Sequence, residues 1–249
     1  MRRLLREIAA EYPAELRASQ HADIDRVVFQ CELVEPLRQP GAVLCDLGSG
    51  VGMFGICCHD LGWQVTCIDD FHDPVNVRLG DAALAVHRRH GVRVVNADVL
   101  SAMPDLGDET VDAFTCFDSM EHWHSSPRGL LHALLRMLKP RGMLLLATPN
   151  CVNLRKRITV PFGHGKWSSM SSWYNADRFR CHVREPDVDD LLYIARDLNL
   201  VDVRVIGRNW GGISSRSRII ALTARATDSL LRPFPTLCSD LYLSGRKPA

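Results

Sequence analysis

Residues 43–55 read VLCDLGSGVGMFG: an apolar run passes directly into glycines at 48, 50 and 52 and then into a helical pattern. Glycine tolerates positive φ and leaves no Cβ in the way of a ligand, and the helix that follows offers unpaired N–H groups, so the stretch predicts a strand–loop–helix unit built to bind something. From residue 41 onward further Val/Ile/Leu/Cys-rich runs alternate with helical patterns, at 42–47, 64–68, 92–95, 111–117, 142–148 and 200–207, with a seventh at 240–246. Runs that are apolar throughout fit strands covered on both faces, and their alternation with helices predicts a parallel, doubly wound sheet of the α/β class.

Ahead of this sheet, Ile24, Val27, Val28, Cys31 and Val34 fall on one face of a helix that Pro36 and Pro40 terminate. The predicted organisation is a helical cap over 1–40 and a binding domain over 41–249, together a single structural domain. An irregular substrate-side insert over 151–185 follows the fifth strand, because residues 149–181 show no clear period. Net charge is +1, which opposes a dedicated nucleic-acid binder. The nine cysteines form no Cys-x-x-Cys pair and lie in apolar runs, so free buried thiols in a reducing cytoplasm are expected. No stretch has the length and apolarity of a membrane span.

Dinucleotide loops space their glycines Gly-x-Gly-x-x-Gly and press a pyrophosphate onto the helix. Here the spacing is Gly-x-Gly-x-Gly, and Asp46 precedes the first glycine by two residues. That carboxylate would repel a diphosphate and suits an ammonium group, so the expected ligand is cationic. The second strand ends in Asp69-Asp70, where a carboxylate could hold ribose hydroxyls, and Asp98-Val99 follows the third, where an acceptor could take an adenine amine. Singly, such acids also serve as helix caps or turn residues.

Taken together, Asp46-x-Gly48-x-Gly50-x-Gly52, Asp69, Asp98, Phe117-Asp118-Ser119-Met120-Glu121-His122 and Leu138-Lys139-Pro140-Arg141-Gly142 resemble a class I S-adenosylmethionine-dependent methyltransferase, nearest the group of ubiquinone-pathway O-methyltransferases and small-molecule and glycan methyltransferases. The resemblance runs from about residue 22 to the end. It implies a Rossmann-like sheet of seven strands with the last antiparallel, and a cofactor site of Asp46, Gly48, Ser49, Gly50, Asp69, Asp70, Asp98, Val99 and Phe117. Arg141 stands where the resembling sequences usually carry a second glycine.

Methyl transfer to a hydroxyl needs in-line alignment, exclusion of water and a base for the departing proton. His122 with Glu121 is the expected catalytic pair. A divalent ion is a competing role for the same residues: in the resembling group the corresponding Glu-x-x-Glu-His holds one. Here it would fall to Asp118, Glu121 and His122, with Asp118 in place of the first glutamate, so no metal is assigned to the expected site. Acceptor-side candidates are His124, His164, Trp167, Trp173, Tyr174, His182 and Arg184. Residues 151–218 hold 12 Lys and Arg against 7 Asp and Glu, an asymmetry that suits an acidic acceptor met by Arg155, Lys156 and Arg157. The function expected is O-methylation of a small molecule, secondary metabolite or sugar in the cytoplasm, with no nucleic-acid partner. A non-catalytic S-adenosylmethionine-binding protein and an NAD-dependent oxidoreductase remain as alternatives.

Overall fold

The computed structural model describes residues 1–164, 168–177, 179–213 and 218–249. Seven strands form one sheet in the order β3-β2-β1-β4-β5-β7-β6: β1 Val43–Leu47, β2 Gln64–Asp69, β3 Arg93–Asn96, β4 Val111–Phe117, β5 Leu138–Pro149, β6 Val201–Arg208 and β7 Asp240–Arg246. The pairs β1–β2, β1–β4 and β2–β3 are parallel and β6–β7 is antiparallel, as expected for the doubly wound class with a reversed final strand. The chain forms two compact units, one of Met1–Cys116, Arg128–Leu144 and Lys247–Ala249, the other of Phe117–Pro127 and Leu145–Arg246; β4 and β5 run from the first into the second.

The first unit holds helices α1 Arg2–Glu11, α2 Ala14–Val34, α3 Phe54–Asp60, α4 Pro74–Arg89, α5 Val99–Ala102 and α6 Arg128–Met137. All five apolar residues assigned to one face of α2 are buried. Residues 44–47 of β1 and 111–116 of β4 are buried without alternation, the pattern of strands covered on both sides. Because Leu47 pairs with Ile68 and Asp69 with Asn96, the loops that leave β1, β2 and β3 emerge at one edge of the sheet.

The second unit carries α7 Leu154–Thr159, α8 Met170–Tyr174, α9 Val188–Asp197, α10 Trp210–Ile213 and α11 Arg218–Leu231. Part of the insert expected to be irregular is therefore helical. Asn153 and Ser169 cap α7 and α8, accepting from Lys156 N and Ser172 N, but helices of six and five residues are too short to print a period in the sequence. The excursion between β6 and β7 holds α10 and α11, which lie outside the runs read from the sequence. All nine cysteines are free, seven of them buried.

Candidate functional site

In the first unit the glycine loop is held by backbone hydrogen bonds to β2. Gly48 and Gly50 have φ of 63° and 52°, the left-handed region that favours glycine. Gly48 N donates to Ile68 O at 2.8 Å, and Gly50 N donates to Asp69 Oδ2 at 2.9 Å. Asp69 Oδ1 accepts from Phe71 N at 2.6 Å, so one carboxylate clamps the loop and the turn after β2 together. Burial pushes the Asp69 carboxyl up, against these two N–H groups, which pull it down. A Cβ at Gly50 would meet nothing within 4 Å, so the loop leaves open space at its tip. At Gly55, by contrast, a Cβ would run into Cys67 Sγ: that glycine lets α3 close onto β2.

Asp46 is only 5% exposed, and its Oδ1 accepts from Thr115 Oγ1 at 2.6 Å. Burial pushes its carboxyl up to about 7, the Thr115 hydroxyl opposes that shift and the charge of Asp69 adds to it. A buried acid in this state gains most from a cation placed beside it.

The neighbouring acids have local duties. Asp70 Oδ1 accepts from His72 N at 3.0 Å, closing its own turn, and Asp98 Oδ1 accepts from Leu100 N at 3.0 Å as the cap of α5, with Val99 buried behind it. Ser49 Oγ reaches Gly50 O at 3.4 Å.

The second unit assembles its polar cluster from two distant segments. After β4, Asp118 turns the chain at φ 52°, and a 3₁₀ turn over Met120–His122 follows. Glu121 O accepts from Val183 N at 2.7 Å and Arg184 N at 3.2 Å, binding the segment before α9 to this turn. His122 Nδ1 lies 2.7 Å from Arg180 O and His124 Nε2 lies 3.0 Å from Phe179 O. A carbonyl only accepts, so each of those ring nitrogens carries the proton; the other nitrogen of a neutral ring keeps its lone pair. Phe117, at the end of β4, tilts against Tyr242 with ring centroids 5.9 Å apart.

His182 joins this cluster. Its ring meets His122 edge-on at 4.9 Å, its Nε2 lies 3.9 Å from Glu121 Oε1, and its Nδ1 lies 2.7 Å from Glu185 Oε1. Glu185 is itself paired with Lys156, and both are buried. Burial pushes the Glu185 carboxyl up, but hydrogen bonds from His182 and Lys156 outweigh it and hold the group below the usual carboxylate range. An ionised Glu185 fixes His182 with Nδ1 as donor.

These contacts correct two expectations. Lys156 does not await an acidic acceptor, because it neutralises Glu185. Arg157 is also committed within the chain, its side chain donating to Val152 O at 2.6 Å. Arg155 stays exposed.

The alternative metal set changes as well. Glu121, His122 and His182 each bring a ligating atom to within 4.8 Å of the others, and Asp118 is not among them. One carboxylate and two imidazoles fit a divalent ion, but one of the zinc, manganese or iron type more than magnesium, which favours oxygen donors.

Of the remaining acceptor-side candidates, His164, Trp173 and Tyr174 are exposed, Arg184 pairs with Asp190 at 2.9 Å, and Trp167 lies outside the described residues. The reading from sequence missed Lys156 and Glu185 as supports of His182. Glu185 stands three residues after His182, a spacing visible in the sequence, whereas nothing local marks Lys156 as buried.

A profile of the family described as "Methyltransferase domain" matches residues 19–205. A ubiquinone biosynthesis O-methyltransferase of Xanthomonas oryzae pv. oryzae is 35% identical over 115 residues, covering 44% of this chain and 44% of that protein. The match thus spans less than half the length of the curated relative. Among solved structures, a SAM-dependent methyltransferase from Archaeoglobus fulgidus superposes with a TM-score of 0.57 at 16% identity, covering 90% of this chain and 94% of that one. A SAM-dependent methyltransferase from Thermotoga maritima, described as a possible histamine N-methyltransferase, gives 0.59 at 15% identity, covering 98% and 99%. At these identities the likeness is one of fold.

Proposed function

Since the chain belongs to the methyltransferase-domain family, we propose that it transfers the methyl group of S-adenosylmethionine to a hydroxyl oxygen of a small-molecule, secondary-metabolite or sugar acceptor. The observation that carries the reading is the glycine loop clamped by Asp69 beside the buried Asp46. Open space at Gly50 accommodates the donor, Asp46 faces its ammonium group and Asp69 its ribose hydroxyls, while Asp98 and Val99 border the adenine. The likeness to ubiquinone biosynthesis O-methyltransferases favours oxygen as the acceptor atom.

A sulfonium already carries a good leaving group, so the protein's chemical task is to align the acceptor and remove its proton. His122 suits the second role: with Nδ1 donating to Arg180 O, its other nitrogen takes the hydroxyl proton as the oxygen–methyl bond forms and the sulfur–methyl bond breaks. Glu121 then stabilises the imidazolium. A second reading follows from the convergence of Glu121, His122 and His182 on one point: an ion held there would bind the acceptor oxygen and lower its proton affinity.

The test is production of S-adenosylhomocysteine from the donor with a panel of phenols, catechols and sugars, with and without a chelator. Turnover that survives chelation and falls roughly 10²–10⁴-fold in His122→Ala supports the base reading. Absence of donor binding by folded protein refutes the whole proposal.

A further inference from the structure

Antiparallel neighbours such as β6 and β7 need only a two-residue turn to connect them. Here residues 209–239 intervene, and their main element is α11. Inside this excursion Asp228 is buried, pairs with Arg232 and accepts from Asn209 Nδ2 at 2.9 Å. The outside is different. Ile219, Leu222, Ala226 and Leu230 follow one another at steps of three and four residues and form one stripe along the helix. The three large ones are 77%, 66% and 70% exposed, and Phe234 just beyond the helix is 58% exposed. The exposed Arg225 stands three residues after Leu222, beside the stripe, whereas Arg232, past the last turn, is held by Asp228. The only acid in α11 is the buried Asp228.

We propose that α11 is an interfacial helix that docks the protein on an anionic lipid surface, its apolar stripe entering the headgroup boundary and Arg225 meeting lipid phosphates. An exposed apolar stripe beside the cation Arg225, on a helix with no exposed acid, matches that surface in both polarity and charge. A second copy of the chain matches it less well. Symmetric pairing of two stripes places Arg225 of each copy at the seam with no exposed carboxylate on either helix to offset it. A span is excluded by length, because 14 residues fall short of the roughly 20 that cross a bilayer. The inference stands apart from the identity of the methyl acceptor.

Flotation of the full chain with vesicles of equal parts phosphatidylcholine and phosphatidylglycerol, against vesicles of phosphatidylcholine alone, tests it. The expected result is binding to the anionic vesicles that weakens with salt. Arg225→Gln should lower the partition coefficient about fivefold, the equivalent of ~1 kcal/mol per basic residue at an anionic surface. The double variant Leu222→Glu/Leu230→Glu should abolish binding; because both side chains already face water, its thermal melt and its donor affinity should match the parent. Three results overturn the proposal. One is no flotation of the parent with anionic vesicles. Another is undiminished flotation of the double variant. The third is light scattering that shows a parent dimer which the double variant dissociates, assigning the stripe to a second copy.

Discussion

The state of Asp46 makes donor binding a proton-linked event. Its carboxyl is raised from 3.8 to about 7, with burial the largest cause. If only the ionised form meets the donor's ammonium group, affinity follows the ionised fraction, which is about 3% at pH 5.5 and about one half at pH 7. Over that interval the donor's α-amino group, whose ordinary pKa is about 7.7–8.0, stays protonated. Affinity should therefore rise roughly 15-fold from pH 5.5 to pH 7, with about half a proton released per donor bound at pH 7. Calorimetry in two buffers of different ionisation enthalpy reads both quantities.

Asp46→Asn should remove most of the slope, leaving what Asp69 contributes, and should weaken binding at pH 7 by roughly 1.5–3 kcal/mol, the range for a hydrogen bond to a charged group. The same shift has a consequence for the fold before the donor binds. A raised acid stabilises the protein fully below its unfolded pKa, and that contribution, about 4 kcal/mol, is lost as pH rises through about 7. A pH-independent donor affinity without proton release in the parent protein would show that Asp46 does not face the cation.

Three further outcomes are expected. Asp69→Ala should weaken donor binding by roughly 1.5–3 kcal/mol, since it removes both the ribose contact and the clamp on Gly50 N; unchanged affinity by calorimetry would take Asp69 out of the site. Lys156→Met leaves Glu185 buried without its cation and should cost roughly 3–5 kcal/mol in a denaturant melt, whereas Lys156→Met/Glu185→Gln should recover much of that loss; equal stability of the two variants would contradict the pairing. Arg141→Gly should stabilise the chain by up to about 1 kcal/mol, because Arg141 sits at φ 64°, where a side chain is strained and glycine is not; a lower melting temperature would refute the strain.

The strands were legible because burial on both faces writes itself into local composition: 111–117 and 240–246 coincide with β4 and β7 to the residue. The capping box of α9, Asp187 with Asp190, likewise follows from neighbours in sequence. Elements too short for a period, α7 and α8, were not legible. The helical spacing of Ile219, Leu222, Ala226 and Leu230 in α11 is present in the sequence, but nothing local marks that stripe as exposed rather than as a core face.

Within the site, the loop of Asp46, Gly48, Gly50 and Asp69 is determined by the sequence itself. A strand that ends in glycines must turn there, and a parallel neighbour of matching register brings its terminal acid to the same edge. The second cluster was decided by tertiary structure alone. Glu121 and His182 meet because the carbonyl of one residue accepts two amides from a segment some sixty positions later, and Lys156 turns inward because Glu185 is there to receive it. Lysine in isolation belongs in water, so its burial depends on a partner that no local pattern can supply.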